Sequence, residues 1–338
     1  MDMSPRRLGR SGLKVSPLCL GTMMFGGPAD EAASLAIVAA ARDAGVNFID
    51  TANVYTGGES ERVTGKAIAQ DRERWVLATK FTQPFGAGPN ERGASRKAML
   101  RACDDSLRRL QCDYIDIYYV HTDDLDTPLE ETVDGLAHLL DRGRIRYVGI
   151  SNFPGYRIAE IVHLCAKAGI QRPIVSQPNY NAVSRVAEAE MLPACAHFEI
   201  GVASYSPIAR GVLTGKYGDG ATLPADSRAA RKDRRIFEAE WRPESLGIAQ
   251  RFVERARERN MSPVQFATLW CFNNRIVTSV IVGPRTLAQW QDYAAIADHE
   301  WHADDEAFVN RLVAPGHNST HGYVDPNRPV RGRVPLTS

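Results

Sequence analysis

Four residues able to work on a carbonyl group stand in the N-terminal part of the chain: Asp50, Tyr55, Lys80 and His121. A free phenol titrates near about 10, too high for efficient acid-base work at neutrality. A lysine ammonium within about 4–6 Å favours the phenolate and would bring that value down. The ammonium needs a carboxylate to keep it charged and fixed, and Asp50 suits that role. His121 would donate to a carbonyl oxygen and orient it. Together these groups make a pocket for developing negative charge beside a tuned proton donor. That arrangement suits reduction of a carbonyl. No side chain donates hydride, so the reaction calls for a nicotinamide cofactor.

The elements that would position these groups can be read from the pattern. Short β-branched or apolar runs lie at 16–20, 47–49, 75–78, 114–120, 145–149, 174–176, 201–204 and 278–282, each followed by a helical pattern. Regular alternation of this kind implies a parallel sheet, and eight units close into a (β/α)8 TIM barrel. The whole chain, 1–338, reads as one such domain. Thr127-Pro128-Leu129-Glu130 and Ser262-Pro263-Val264-Gln265 have the form of capping boxes. Leu129, Val133, Leu136 and Leu140 recur at helical spacing, and Gly143 supplies the stop. Leu100, Cys103, Leu107 and Leu110 predict one apolar helix face. Residues 1–15 predict a hairpin plugging one barrel end. Residues 209–242 form a long polar insert after the seventh strand, and 312–338 a Pro- and Gly-containing tail.

Polar residues fall at the C-terminal strand ends, where such barrels build their sites. Asp50 ends the second strand, Lys80 follows the third and His121 the fourth. Ser151 and Asn152 follow the fifth, Gln177 ends the sixth, Tyr205 and Ser206 follow the seventh, and Gly283 and Arg285 the eighth. Any one of them could cap a helix or sit in solvent. Their arrival on one face marks a site.

Composition narrows the partners. The net charge of +1 offers no excess of cations for nucleic acid, and the Arg-dense stretch 228–235 is diluted by acids and reads mostly as a solvated loop. No signal-peptide-like run and no membrane-length apolar stretch occurs. The six cysteines are scattered without metal-ligand spacing, which predicts reduced thiols in a cytoplasmic protein and no metal.

Several segments carry a resemblance. Gly45-Val46-Asn47-Phe48-Ile49-Asp50-Thr51-Ala52, Tyr55 with Gly58-Glu59-Ser60-Glu61, and Ala78-Thr79-Lys80 resemble the signatures of the aldo-keto reductase family. So do Ser106-Leu107-Arg108-Arg109-Leu110 with Asp113-Tyr114-Ile115-Asp116 and His121, and Gly149-Ile150-Ser151-Asn152-Phe153. Gln177-Pro178-Asn179-Tyr180, Tyr205-Ser206-Pro207 and Leu213-Thr214-Gly215-Lys216 continue it, so that it spans about residues 6–300. The long insert is similar to that of the bacterial aldehyde reductase and potassium-channel beta-subunit branches.

The resemblance implies Tyr55 as acid/base, Lys80 and Asp50 as its tuners and His121 as the orienting group. It implies NADPH as cofactor and a small carbonyl compound as substrate. Ser151, Asn152 and Gln177 would hold the nicotinamide carboxamide, beside Gly21, Thr22, Met23 and Asp50, and Tyr205 would stack on the ring. Ser206, Pro207, Ile208, Ala209, Arg210 and Gly211, with Leu213 and Lys216, would follow the pyrophosphate. Arg228 and Arg285 would meet the 2′-phosphate, near Gly283, and Gln289 and Asp292 the adenine. Arg favours a phosphate fork, hence NADPH over NADH. Tyr293 stands where the family often has Asn, and Thr56-Gly57-Gly58 departs from the usual turn.

Met23, Phe25 and Phe81, with Tyr55 and His121, are the expected walls of the substrate pocket, and the tail from Gly316 to Arg333 the expected cover. Two rival functions remain at this level. One is a Schiff-base aldolase using Lys80, which would need a depressed lysine pKa that Asp50 opposes. The other is an NADPH-holding redox sensor with little turnover. The sequence leaves the substrate open, and a homo-oligomer is compatible with it.

Overall fold

The apolar runs form eight parallel strands closed on themselves in the computed structural model, which describes residues 2–329. An antiparallel pair, β1 (Arg6–Arg7) and β2 (Lys14–Val15), comes first. The barrel strands are β3 (Leu18–Gly21), β4 (Phe48–Asp50), β5 (Val76–Phe81), β6 (Ile115–Val120), β7 (Ile145–Ser151), β8 (Val175–Gln177), β9 (Gly201–Tyr205) and β10 (Val277–Val282). They pair in chain order, and β10 closes on β3 with Val280 opposite Leu18. All eight expected strands are present, and the bounds differ by up to three residues at the ends.

Every residue of β5 is buried, because helices cover the barrel outside while side chains fill it inside. Alternate residues divide between two cores. Cys19, Phe48, Val76, Ala78, Ile117, Tyr119 and Ala203 fill the interior, whereas Leu20, Ile49, Leu77 and Tyr118 pack towards the helices. The hairpin stops the N-terminal end. Leu8 and Val15 enter the inner cluster, and Arg10 N donates to Glu199 O at 2.8 Å. Gly9, at φ +54°, lies so close that a Cβ would sit 2.3 Å from Ile174 O.

The surrounding helices include α1 (Glu31–Asp43), α2 (Glu59–Ile68), α3 (Arg96–Leu110), α4 (Leu129–Asp141), α5 (Gly155–Lys167) and α6 (Met191–His197). Then follow α7 (Arg234–Ala239), α8 (Pro243–Glu258), α9 (Pro263–Phe272), α10 (Leu287–Ala294) and α11 (Ala303–Leu312). α4 buries Leu129, Val133, Leu136 and Leu139, each contributing about 1.5–3 kcal/mol of transfer free energy. Gly143 follows with φ +64°. The face of α3 is built by Met99, Cys103, Leu107 and Leu110, with Leu100 only half-buried. The capping box at Ser262 and Gln265 forms in full. The one expected at Thr127 does not, since the Thr127 hydroxyl donates instead to Asp124 Oδ2 at 2.7 Å.

The insert 209–242 is less solvated than its composition suggests. Ala209, Val212, Leu213, Tyr217, Ala229 and Ile236 are buried in it. The tail runs from α11 back across the C-terminal mouth. Ser319 contacts Arg242 and Ser245, and the Asp325 carboxylate forks with Arg235 at 2.8 and 3.2 Å. The last part of the expected cover, 330–333, lies outside the described residues.

Candidate active site at the barrel mouth

β4 ends on Asp50 and β5 carries Lys80 one residue from its end, so both reach the mouth from neighbouring strands. The Lys80 side chain is fully buried. Its Nζ lies 2.5 Å from Asp50 Oδ1, 2.7 Å from Thr51 O and 3.1 Å from Tyr55 Oη. An ammonium has three hydrogens, and these three acceptors use them all. Gln177 Nε2 donates to the other Asp50 oxygen at 3.0 Å. Tyr55 meets the His121 ring edge-on, with centroids 6.0 Å apart. The four groups read from the sequence therefore stand together.

Electrostatics here depart from the expectation in one respect. Burial raises the Tyr55 phenol above its ordinary value, and the nearby Lys80 ammonium only partly offsets this. The phenol is thus held protonated rather than poised to ionise. Burial works against the charge on Lys80, but Asp50 and Tyr55 together outweigh it and hold the lysine protonated. Burial, then the positive charges of Lys80 and Arg328, push His121 well below the usual imidazole range. A neutral His121 follows, and its buried Nδ1 has no hydrogen-bond partner among the described residues.

A neighbouring ion pair braces the tetrad from below. Glu61 on α2 is fully buried and accepts from Thr79 Oγ1 and from Arg109 Nε of α3, both at 2.6 Å. Arg109 in turn fills the space beside Gly58, whose φ is +95°.

Asp50, Tyr55 and His121 line one end of a cavity of about 680 Å³, with Lys80 fully buried behind them. Around it stand Gly21, Met23, Asn152, Gln177, Tyr205, Ser206, Pro207, Ile208, Arg210, Gly211, Lys216, Arg228, Gly283, Arg285, Gln289 and Asp292. Thr22, Ser151, Ala209 and Leu213 are buried and lie behind this lining. The Ser151 hydroxyl donates to Gln177 O at 2.8 Å, and Thr22 Oγ1 to Asp50 O at 3.1 Å, so both brace lining residues. Phe25 and Phe81 are corrections to the expected substrate pocket. Phe81 stacks on Tyr118 at 4.8 Å, away from the mouth, and Phe25 is buried in the outer core. Tyr293 also lines the cavity, as do Asn327 and Arg328 from the tail expected to cover it, and Met24, Val54, Gln83, Thr122 and Arg235, which were not singled out in the sequence.

The closed parallel barrel, the buried Lys80 contacts and this cavity agree with what the comparisons find. The family model described as the aldo/keto reductase family matches residues 17–313. This chain belongs to the aldo/keto reductase family. It is 39% identical to a probable voltage-gated potassium channel subunit beta of Oryza sativa subsp. japonica, covering 83% of this chain and 87% of that protein. A protein of the same description from Arabidopsis thaliana is 37% identical, over 88% of this chain and 92% of its own length. The uncharacterized oxidoreductase YrpG of Bacillus subtilis is 36% identical, over 84% and 88%. Membership in the aldo/keto reductases implies NAD(P)H-dependent oxidoreductase activity.

The residues fit a nicotinamide dinucleotide. Burial and then the like charge of Arg285 and Arg228 pull the Lys216 ammonium down. Arg228 is lowered in the same way by burial and Arg210. Arg210 Nε is buried with no hydrogen-bond partner among the described residues. Crowded cations with an orphaned donor suit phosphate groups. Ser206, Ala209, Arg210 and Gly211 all take positive φ, a backbone conformation found where a loop cradles a ligand. At the other end Asn152 and Gln177 offer neutral amides suited to a carboxamide. Among the described residues no helix is long and apolar enough to cross a membrane.

Proposed function

We propose that this aldo/keto reductase is an NADPH-dependent carbonyl reductase that converts aldehydes or ketones to alcohols. The observation carrying the proposal is the buried contact of Lys80 Nζ with both Asp50 and Tyr55 at the edge of the cavity. A reduced nicotinamide dinucleotide, when bound in the cavity, would supply the hydride. As negative charge grows on the carbonyl oxygen, Tyr55 gives it the proton from Oη. Lys80 stabilises the phenolate left behind, and Asp50 keeps Lys80 charged and fixed. His121, neutral, donates to the same oxygen and orients it. Lys216, Arg210, Arg228 and Arg285 would hold the phosphates, with Arg228 and Arg285 suited to the 2′-phosphate of NADPH. Asn152 and Gln177 would orient the carboxamide, and Tyr205 would face the ring.

Consumption of NADPH in the presence of aromatic, aliphatic and sugar aldehydes tests this, with formation of the matching alcohol. No consumption with any of them would contradict it. The names of the rice and Arabidopsis relatives favour a second reading, a nicotinamide-holding regulatory subunit. Tight retention of NADPH with very slow product release would select it. The Schiff-base alternative is disfavoured, because Lys80 has given all three hydrogens to acceptors and has no free lone pair for attack.

A further inference from the structure

Arg328 stands at the substrate end of the cavity without a carboxylate to pair with. It comes from the tail, far in sequence from every barrel strand, and the Asp325–Arg235 fork pins the turn that presents it. Its guanidinium donates to the Tyr205 hydroxyl, which in turn donates to Asn152 Oδ1 at 3.1 Å. Arg328 is half-buried, and no described Asp or Glu lies within ion-pairing distance of it. The neighbouring cation Arg235 is already engaged by Asp325 and Glu238. Asp50, the carboxylate at this end, is spent on Lys80 and Gln177. Arg328 thus spends its side-chain hydrogen bond on a neutral phenol, and Asp325, the carboxylate that feels its charge, is forked onto Arg235 instead. Arg328 and His121, the group proposed to orient the carbonyl, line the same cavity, and the Arg328 charge is among those that lower the imidazole.

A phenol is a weak partner for a guanidinium, and a planar carboxylate is a strong, two-pronged one. Gln83 and Thr122, bonded to each other at 2.7 Å and lining the same end, add neutral polar surface. We infer that Arg328 is a specificity-determining residue that binds the carboxylate of an anionic carbonyl substrate, an oxo acid or a carboxyl-bearing aldehyde. The inference rests on the reductase reading for turnover but not for binding.

The experiment compares glyoxylate, 4-oxobutanoate and 4-formylbenzoate with their methyl esters, and titrates benzoate into the NADPH-loaded protein by calorimetry. Arg328→Gln and Arg328→Lys are measured beside the unaltered chain, with NADPH affinity followed by fluorescence. The acid-over-ester ratio of kcat/KM should favour at least one acid. It should fall about tenfold or more in Arg328→Gln, the scale of a lost charge-assisted pair, and recover in part in Arg328→Lys. Benzoate affinity should fall by a similar factor. If neither acids nor esters are reduced but benzoate binding depends on Arg328, the inference stands and the reductase reading falls. If the ratio and benzoate binding are both unchanged in Arg328→Gln, the inference is overturned. It is equally overturned if the variant loses only NADPH affinity, since Arg328 would then belong to the cofactor.

Discussion

Lys80 and Asp50 are charges taken almost wholly out of water, with side-chain exposures of 0% and 3%. Such a pair is costly to break because the survivor stays buried and unpaired. Asp50→Asn should lower unfolding stability by about 3–5 kcal/mol in denaturant titration, and a loss under about 1 kcal/mol would contradict the burial argument. His121 gives a pH signature. Its folded pKa lies well below 6.5 while the unfolded chain titrates near that value, so the unfolded state binds the proton first. The His121 contribution is full above the unfolded pKa and is lost as pH falls below it. A His121→Asn protein should lose less stability between neutral and mildly acid pH than the unaltered chain, as read from thermal midpoints. Asp50, Lys80 and His121 were legible because each lies at or beside a strand end with an unusual polarity for that place, whereas Tyr55 stands in the turn after β4 and was legible from the family signature that contains it. The direction of the Tyr55 shift was not legible, because burial is a property of the whole mouth and outweighs the single neighbour that sequence suggests.

Helix packing carries the tetrad from behind. Gly65 of α2 lies against the last turn of α3, where a Cβ would stand 2.2 Å from Leu110 O. Gly65→Ala must push the helices apart and should cost about 1–3 kcal/mol, measured as a fall in the unfolding midpoint. The Glu61–Arg109 pair joins the same two helices, and Thr79 links it to β5 beside Lys80. Strand and helix order was readable from the alternation of apolar runs with amphipathic segments. Side-chain direction was harder. Phe81 follows Lys80 directly, and successive residues of a strand face opposite ways, so Lys80 entering the mouth sends Phe81 to the helices. The Thr127 cap failed for a similar local reason, since Asp124 three residues earlier competes for the hydroxyl.

At the scale of the molecule, one cavity joins a cationic end to the tetrad. Arg285 holds Asp226 at 2.7 Å across the insert, and Asp226 also meets Arg231 at 2.9 Å. A 2′-phosphate at this end would compete for Arg285. Arg285→Ala should therefore reduce the preference for NADPH over NADH about tenfold, the scale of one charge-assisted contact, in paired binding titrations. An unchanged preference would assign the selectivity elsewhere. The tail was expected over the pocket, but which of its residues enter the mouth, and that Arg235 meets it there, could not be read from sequence, because the contacts involved span 90 and 123 positions of the chain. The most direct test of the whole account is the NADPH-linked reduction rate of Tyr55→Phe, with cofactor affinity measured beside it. Loss of the phenolic proton should lower kcat by about 10²–10⁴ while NADPH still binds. A Tyr55→Phe protein that turns over at the unaltered rate would contradict the proton-donor assignment.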